Sequence, residues 1–245
     1  MPRYGMVIDL DRCMGCRACM EACKVENATV EGHFWMKVFR FEEGEYPNVK
    51  IGFLPRPCQH CENAPCVKVC PVQARHHQED GLVLTDFKRC IGCRYCEVAC
   101  PYGVNFFAFT EPEDSYYLDW NDKALEARTG GAVPPYRNPD LDVRHGPDDR
   151  LVAGDGHYGG VMTKCTFCVQ RLEKGLDPAC VANCPVDVFT FGDLADPESA
   201  VSKKLGSANV FRLKEDLNTR PKVFYLGTPP GEDSREIEPV KEGKG

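Results

Sequence analysis

No stretch of this 245-residue sequence runs for 18 consecutive apolar residues, so no segment is expected to cross a bilayer as a helix. The amino terminus, MPRYGMVIDLDRC, lacks the apolar core of a secretory signal and enters a cysteine motif by residue 13. If the chain works outside the cytoplasm, another protein is expected to carry it there. A basic excess is also missing. Acidic residues number 37 against 30 basic ones, for a formal charge of -7, which argues against a nucleic-acid ligand. There is no Walker loop, no GxGxxG and no nucleophile–base constellation, so the chain offers no place for substrate chemistry and is not read as catalytic. Tryptophan is scarce, and Trp35 and Trp120 read as packing or interface residues.

What the sequence does hold is sulfur. Sixteen cysteines in 245 residues are fewer than mark a short secreted disulfide scaffold, and a chain long enough for an ordinary core needs no staples. Their arrangement is internal repetition. RCMGCRACMEAC at residues 12 to 23 and RCIGCRYCEVAC at residues 89 to 100 agree at eight of twelve positions. A looser pair is CQHCENAPCVKVCP, from Cys58, and CTFCVQRLEKGLDPACVANCP, from Cys165. Four motifs of four cysteines imply duplication of a small unit.

Around the motifs the pattern is mixed α+β. The runs MVIDL (6–10) and LVLTD (82–86) read as strands, EDG (79–81) as a hairpin turn, and residues 34–53 as a second hairpin. Residues 103–162 read as a long, largely irregular insertion. DPESAVSKKLG predicts a short helix with Asp196 as N-cap, Pro197 at its first position and Gly206 after its end. RPKVFYLG predicts a last strand, and the polar end of the chain an extended tail.

Cysteines at i, i+3 and i+6 cannot sit comfortably around one small tetrahedral ion, but they can wrap one face of a larger object. C-x2-C-x2-C-x3-C is the bacterial ferredoxin run for 4Fe-4S clusters, in which the fourth cysteine ligates a second cluster. Proline follows at Pro71, Pro101 and Pro185, with Lys24 at that place in the first motif. Gly15 and Gly92 would let backbone N–H groups approach cluster sulfides. Zinc is the competing reading of the Cys58/Cys61 and Cys165/Cys168 knuckles taken alone. Beside two ferredoxin-type runs it loses force. The crossover rule assigns ligands between paired motifs. The second and third, separated by twenty residues, are expected to pair, which leaves the first with the fourth. An oxidised cluster with four thiolates carries about -2, so nearby cations matter. Arg12, Arg17, Lys24, Lys68, Lys88, Arg89, Arg94, Lys164 and Arg171 are either solvated charges or donors toward clusters, with Arg94 as the example expected to raise a potential. His60 reads as a spacer, and His76 and His77 as surface residues.

In YGMVIDLDRCMGCRAC, HCENAPCVKVCPV, CIGCRYCEVACPYGV and KCTFCVQRLEKGLDPACVANCP the chain resembles the four-cluster iron–sulfur subunits of dimethyl-sulfoxide-reductase-type molybdoenzymes, and looks most like the arsenate and tetrathionate branch. The likeness covers residues 4–227. It implies four 4Fe-4S clusters, with Cys13, Cys16, Cys19 and Cys184 on the first and Cys23, Cys165, Cys168 and Cys180 on the second. Cys58, Cys61, Cys66 and Cys100 would hold the third, and Cys70, Cys90, Cys93 and Cys96 the fourth. It further implies two ferredoxin-like lobes related by a pseudo-two-fold, one from residues 1–57 and 163–192 and one from 58–102. Residues 103–162 would then be a partner-docking insertion, and 193–245 a C-terminal helix, strand and tail. The implied partners are a molybdenum bis-pterin catalytic subunit and a quinone-reactive membrane subunit. The implied place is a membrane-associated complex, on the periplasmic side by export with a partner or alternatively on the cytoplasmic face. The expected function is electron relay within that complex, the alternative being a free-standing polyferredoxin carrier.

Overall fold

The computed structural model describes residues 1–27, 29, 32–109, 143–153, 159–207, 209–231 and 234–236. Strand β1 (Tyr4–Asp9) leads through a 3-10 turn (Leu10–Arg12) into the first cysteine loop and helix α1 (Ala18–Asn27). The hairpin expected over residues 34–53 forms as β2 (Lys37–Glu43) and β3 (Lys50–Arg56). The second motif carries one helical turn, α2 (Pro65–Lys68), which starts at a proline whose missing N–H would have no helical partner anyway. β4 (Arg75–His77) and β5 (Val83–Thr85) make the hairpin around EDG, where Asp80 Oδ1 accepts from Leu82 N–H at 2.8 Å.

The third motif holds α3 (Tyr95–Val98) and is followed by β6 (Phe106–Phe107), β7 (Val143–His145), β8 (Arg150–Ala153) and β9 (Met162–Thr163). The fourth holds α4 (Val169–Leu172) and α5 (Ala179–Ala182). The chain continues through β10 (Phe189–Asp193), α6 (Ala200–Leu205), β11 (Val210–Phe211), β12 (Val223–Leu226) and β13 (Arg235–Glu236).

β1 is buried on both faces because it lies inside a four-stranded sheet of order β10-β1-β12-β11. It runs antiparallel to β10 and parallel to β12, so early and late parts of the sequence meet side by side. One face of this sheet is closed by α6, whose Val201 packs with Val7 and Phe224. The main core lies on the other side, and in it buried cysteines such as Cys19, Cys61, Cys96 and Cys180 interleave with Met6, Trp35, Leu84 and Tyr225. Sulfur is part of the interior here. The helices pair by motif, α1 against α5 and α2 against α3.

Several expectations need correction. The described ends of residues 103–162 are ordered: β6 pairs with β9, β7 with β8, and Val143, Leu151 and Val161 are buried. Strands of two to four residues are too short to show periodicity in sequence. The rest of that segment, Trp120 included, lies outside the described residues. The late helix starts one turn later than expected. Asp196 Oδ1 accepts from Glu198 N–H in a turn of its own, and Ser199 is the N-cap, its Oγ accepting from Ser202 N–H. The tail is not wholly free, since β13 adds to the edge of β2. Trp35 is a packing residue, buried, with Nε1 donating to Thr163 Oγ1 at 3.2 Å.

Candidate functional site

The two ferredoxin-type loops repeat in backbone as well as in sequence. Gly15 and Gly92 take φ of 71° and 66°, and Arg17 and Arg94 take 64° and 63°. A left-handed residue of that kind bends the chain so that successive sulfurs face inward. The glycines serve close packing too: a Cβ on Gly15 would run into the Phe53 ring, and one on Gly92 into the carbonyl of Gly160.

The sixteen sulfurs gather in four sets. Cys13, Cys16, Cys19 and Cys184 line one cavity, together with Val38, Val188 and Phe189. Cys58, Cys61, Cys66 and Cys100 line a second, with Gln59, Asn105 and Lys164. Cys70, Cys90, Cys93 and Cys96 line a third, with Arg75, Thr85 and Met162. Counting their mouths, these cavities enclose about 290, 340 and 300 Å³. Similar volumes with the same four donors suit one kind of occupant. Cys23, Cys165, Cys168 and Cys180 form the remaining set, all buried and close enough to raise one another's thiol pKa values.

Successive sets are neighbours. Cys19 of the first acts electrostatically on Cys180 of the next, Cys58 acts on Cys165, and Arg75 faces both Cys66 and Cys96. Cys16 and Cys93, at equivalent places in the repeat, are exposed, so the end sets reach the surface, whereas the set of Cys23, Cys165, Cys168 and Cys180 is wholly buried.

Burial, followed by repulsion from neighbouring sulfurs, pushes the Cys19, Cys61 and Cys165 thiols up to about 12. Cys66 is pushed to about 11, with Arg75 opposing the rise, and Cys23 and Cys180 stand well above the ordinary thiol value. Four thiolates around one cavity therefore require positive charge among them, which a cluster's irons supply. Among the described residues no three His, Cys, Asp or Glu side chains converge tightly enough for a single metal ion. The donor set and its spacing fit a larger, sulfur-rich group. Backbone N–H groups point at several sulfurs: Arg75 at Cys70 (3.4 Å), Met162 at Cys90 (3.4 Å) and Val188 at Cys184 (3.3 Å).

Three residues that the motif pattern does not flag belong to this site. Asn27 Nδ2 lies 3.5 Å from both Cys23 Sγ and Cys168 Sγ. Arg75, fully buried, donates from Nη2 to Cys96 Sγ at 3.4 Å. His60 is no spacer: it is buried, stacks on Phe167, and bridges Val83 N–H and the Cys165 carbonyl at 3.0 Å each. Asn27 stands one helical turn beyond Cys23, the only local hint among the three. Of the cations expected near clusters, Lys24 and Lys164 are buried but donate to backbone carbonyls. Arg94 turns away, pairing with Glu97 at 2.8 Å and lying over Phe107 and Phe109.

Comparison with known proteins agrees in character. A 4Fe-4S dicluster domain matches residues 49–112 and 153–194, and another 4Fe-4S dicluster domain matches residues 12–74. The chain is 41% identical to the arsenate respiratory reductase iron–sulfur subunit of Shewanella sp. ANA-3, over 91% of this chain and 96% of that protein. It is 40% identical to a selenate reductase subunit of Mesobacillus selenatarsenatis (91% and 72% covered). It is 37% identical to a tetrathionate reductase subunit of Salmonella typhimurium (92% and 72% covered).

Proposed function

The chain belongs to the iron–sulfur subunits of the dimethyl sulfoxide, arsenate, selenate and tetrathionate reductase type, which transfer electrons and do not catalyse, and from that premise we propose how its residues do so. Its sixteen cysteines hold four 4Fe-4S clusters, one in each four-sulfur set. The first is held by Cys13, Cys16, Cys19 and Cys184, and the second by Cys23, Cys165, Cys168 and Cys180. Cys58, Cys61, Cys66 and Cys100 hold the third, and Cys70, Cys90, Cys93 and Cys96 the fourth. When bound, such clusters supply one-electron redox centres whose potentials follow their surroundings.

The chain does the rest. Loops bent at Gly15, Arg17, Gly92 and Arg94 hold the sulfurs on rigid arcs, and fourth cysteines cross between motifs, so adjacent sites share secondary structure. The buried core keeps water from the inner sets, and N–H groups and Asn27 direct positive dipoles at sulfur. The observation that carries this reading is the succession of neighbouring four-sulfur sets with an exposed cysteine in the first and in the last. Met14 and Ile91 stand exposed beside those ends, as suits two docking surfaces. The partners are a molybdenum bis-pterin catalytic subunit and a quinone-reactive membrane subunit. No described helix is long and apolar enough to cross a membrane. The complex is associated with the membrane. Pairing of the motifs also implies two ferredoxin-like lobes related by an approximate two-fold.

Anaerobically purified protein is expected to carry sixteen irons per chain and to show electron-spin resonance of interacting clusters on reduction. A preparation that reproducibly holds twelve or fewer irons, or stays silent on reduction, ends the four-cluster reading.

A further inference from the structure

Arg75 is the most completely buried arginine among the described residues, 1% exposed. It stands on β4 between two four-sulfur sets. On one side its Nη2 donates to Cys96 Sγ and its backbone N–H to Cys70 Sγ, each at 3.4 Å. On the other its charge acts on Cys66 and Cys58. Its Nε and Nη1 are buried without a hydrogen-bond partner on the described chain. An uncompensated guanidinium in a protein interior is strongly disfavoured, so the compensating negative charge has to come from its surroundings. The sulfur sets on either side are the source at hand.

Arg94 shows the contrast. Its guanidinium is neutralised by Glu97 at the surface and adds no net charge to the sulfurs. Lys164, also buried, donates to the Cys165 carbonyl at 2.8 Å. Arg75 alone of the three gives a hydrogen bond directly to a cysteine sulfur.

We propose that the Arg75 guanidinium is a positioning charge shared by the third and fourth cluster sites, which holds the reduction potentials of both above those of a neutral neighbour. The proposal rests on the four-cluster reading above. The physics is direct. Each one-electron reduction adds a negative charge to a site, and a fixed positive charge beside it stabilises the reduced form more than the oxidised form. Guanidinium does not lose its proton in proteins, so the effect is constant with pH. Because the group lies between two sites, both are affected, whereas the sites of Cys13 and Cys23, lying farther along the succession, are not.

The test is a potentiometric titration, followed by electron-spin resonance, of the anaerobically purified, cluster-loaded protein with Arg75→Gln and with Arg75→Lys. Arg75→Gln is expected to raise the oxidised-to-reduced ratio of two of the four clusters at least about tenfold at fixed potential, about 59 mV for a one-electron centre. The other two should not move. Arg75→Lys, which keeps the charge, should shift the same two less than threefold. Unmoved midpoints in Arg75→Gln, or an equal shift of all four, overturn the proposal. If Arg75→Gln fails to retain sixteen irons, Arg75→Lys decides: retained midpoints support a role for charge, and a tenfold rise in the oxidised-to-reduced ratio despite retained charge refutes it. Iron loss from both variants marks Arg75 as scaffold and likewise overturns the proposal. A wild-type chain short of sixteen irons fails the four-cluster reading itself; a full complement with unmoved potentials fails only the role of Arg75.

Discussion

His60 lies between two cysteines of the second motif, yet its partners are 23 and 105 residues away. Val83 N–H can only donate, so Nδ1 of His60 is the acceptor and Nε2 carries the proton that goes to the Cys165 carbonyl. That tautomer is neutral, in keeping with burial and the nearby Lys164 and Lys222, which hold its pKa well below the ordinary imidazole value. His60→Ala strips two buried backbone groups of their partner at about 1–3 kcal/mol for each. Thermal unfolding of the cluster-loaded variant should show a clearly lowered midpoint, and an unchanged one would mean that water or a neighbour replaces the ring. The same distance in sequence explains why Arg75 and Asn27 escape a reading by motif. The cysteines advertise themselves by local spacing, whereas the groups that tune them reach across from other motifs: Arg75 to Cys96, and Asn27 to Cys168.

At the scale of elements, legibility follows length and local signal. β1, the β2–β3 hairpin, β5 and β12 are readable because apolar runs are bounded by turn residues, whereas β4, Arg-His-His, shows only through the turn at EDG. β6 and β9 are two residues each and exist only as partners to one another. The late helix shows how a strong cap signal can sit one turn early. Asp196 and Pro197 satisfy the usual pattern, but Asp196 Oδ1 is taken by Glu198 N–H, and the helix waits for Ser199. Ser199 also donates to the Asp193 carbonyl at 2.7 Å, tying α6 to β10. Ser199→Ala should therefore lower stability by about 1 kcal/mol or somewhat more, and Asp196→Ala by less. Chemical denaturation midpoints of the two variants would show the order, and equal losses would return the cap to Asp196.

On the scale of the molecule, His145 fastens three separate segments. Its Nε2 meets Asp80 in the β4–β5 turn at 2.8 Å and its Nδ1 meets Glu173 beyond α4 at 2.7 Å, while the residue itself sits on β7. The hydrogen bond to Asp80 foremost, and that to Glu173, raise its pKa above the free value against the pull of burial. A group raised on folding contributes stability fully below its unfolded pKa, about 6.5, and loses it as pH climbs through the higher folded value. His145→Gln should thus lower the melting temperature more at pH 6 than at pH 9. Taking the difference from wild type at each pH removes the background from Lys222, whose own pKa is lowered to about 8, chiefly by burial. A gap that does not change with pH would show that the ring acts here as a neutral spacer.

The parallel seat of β12 beside β1 has a consequence for how the protein is made. Strand β1 leads into Cys13, and its neighbours in the sheet are residues 189–193 and 223–226. During synthesis the sulfurs drawn from residues 58–100 are all out of the ribosome long before Cys165 to Cys184 follow. The motif translated earliest therefore lines its cavity together with Cys184, so that four-sulfur set is complete only once most of the chain has been made.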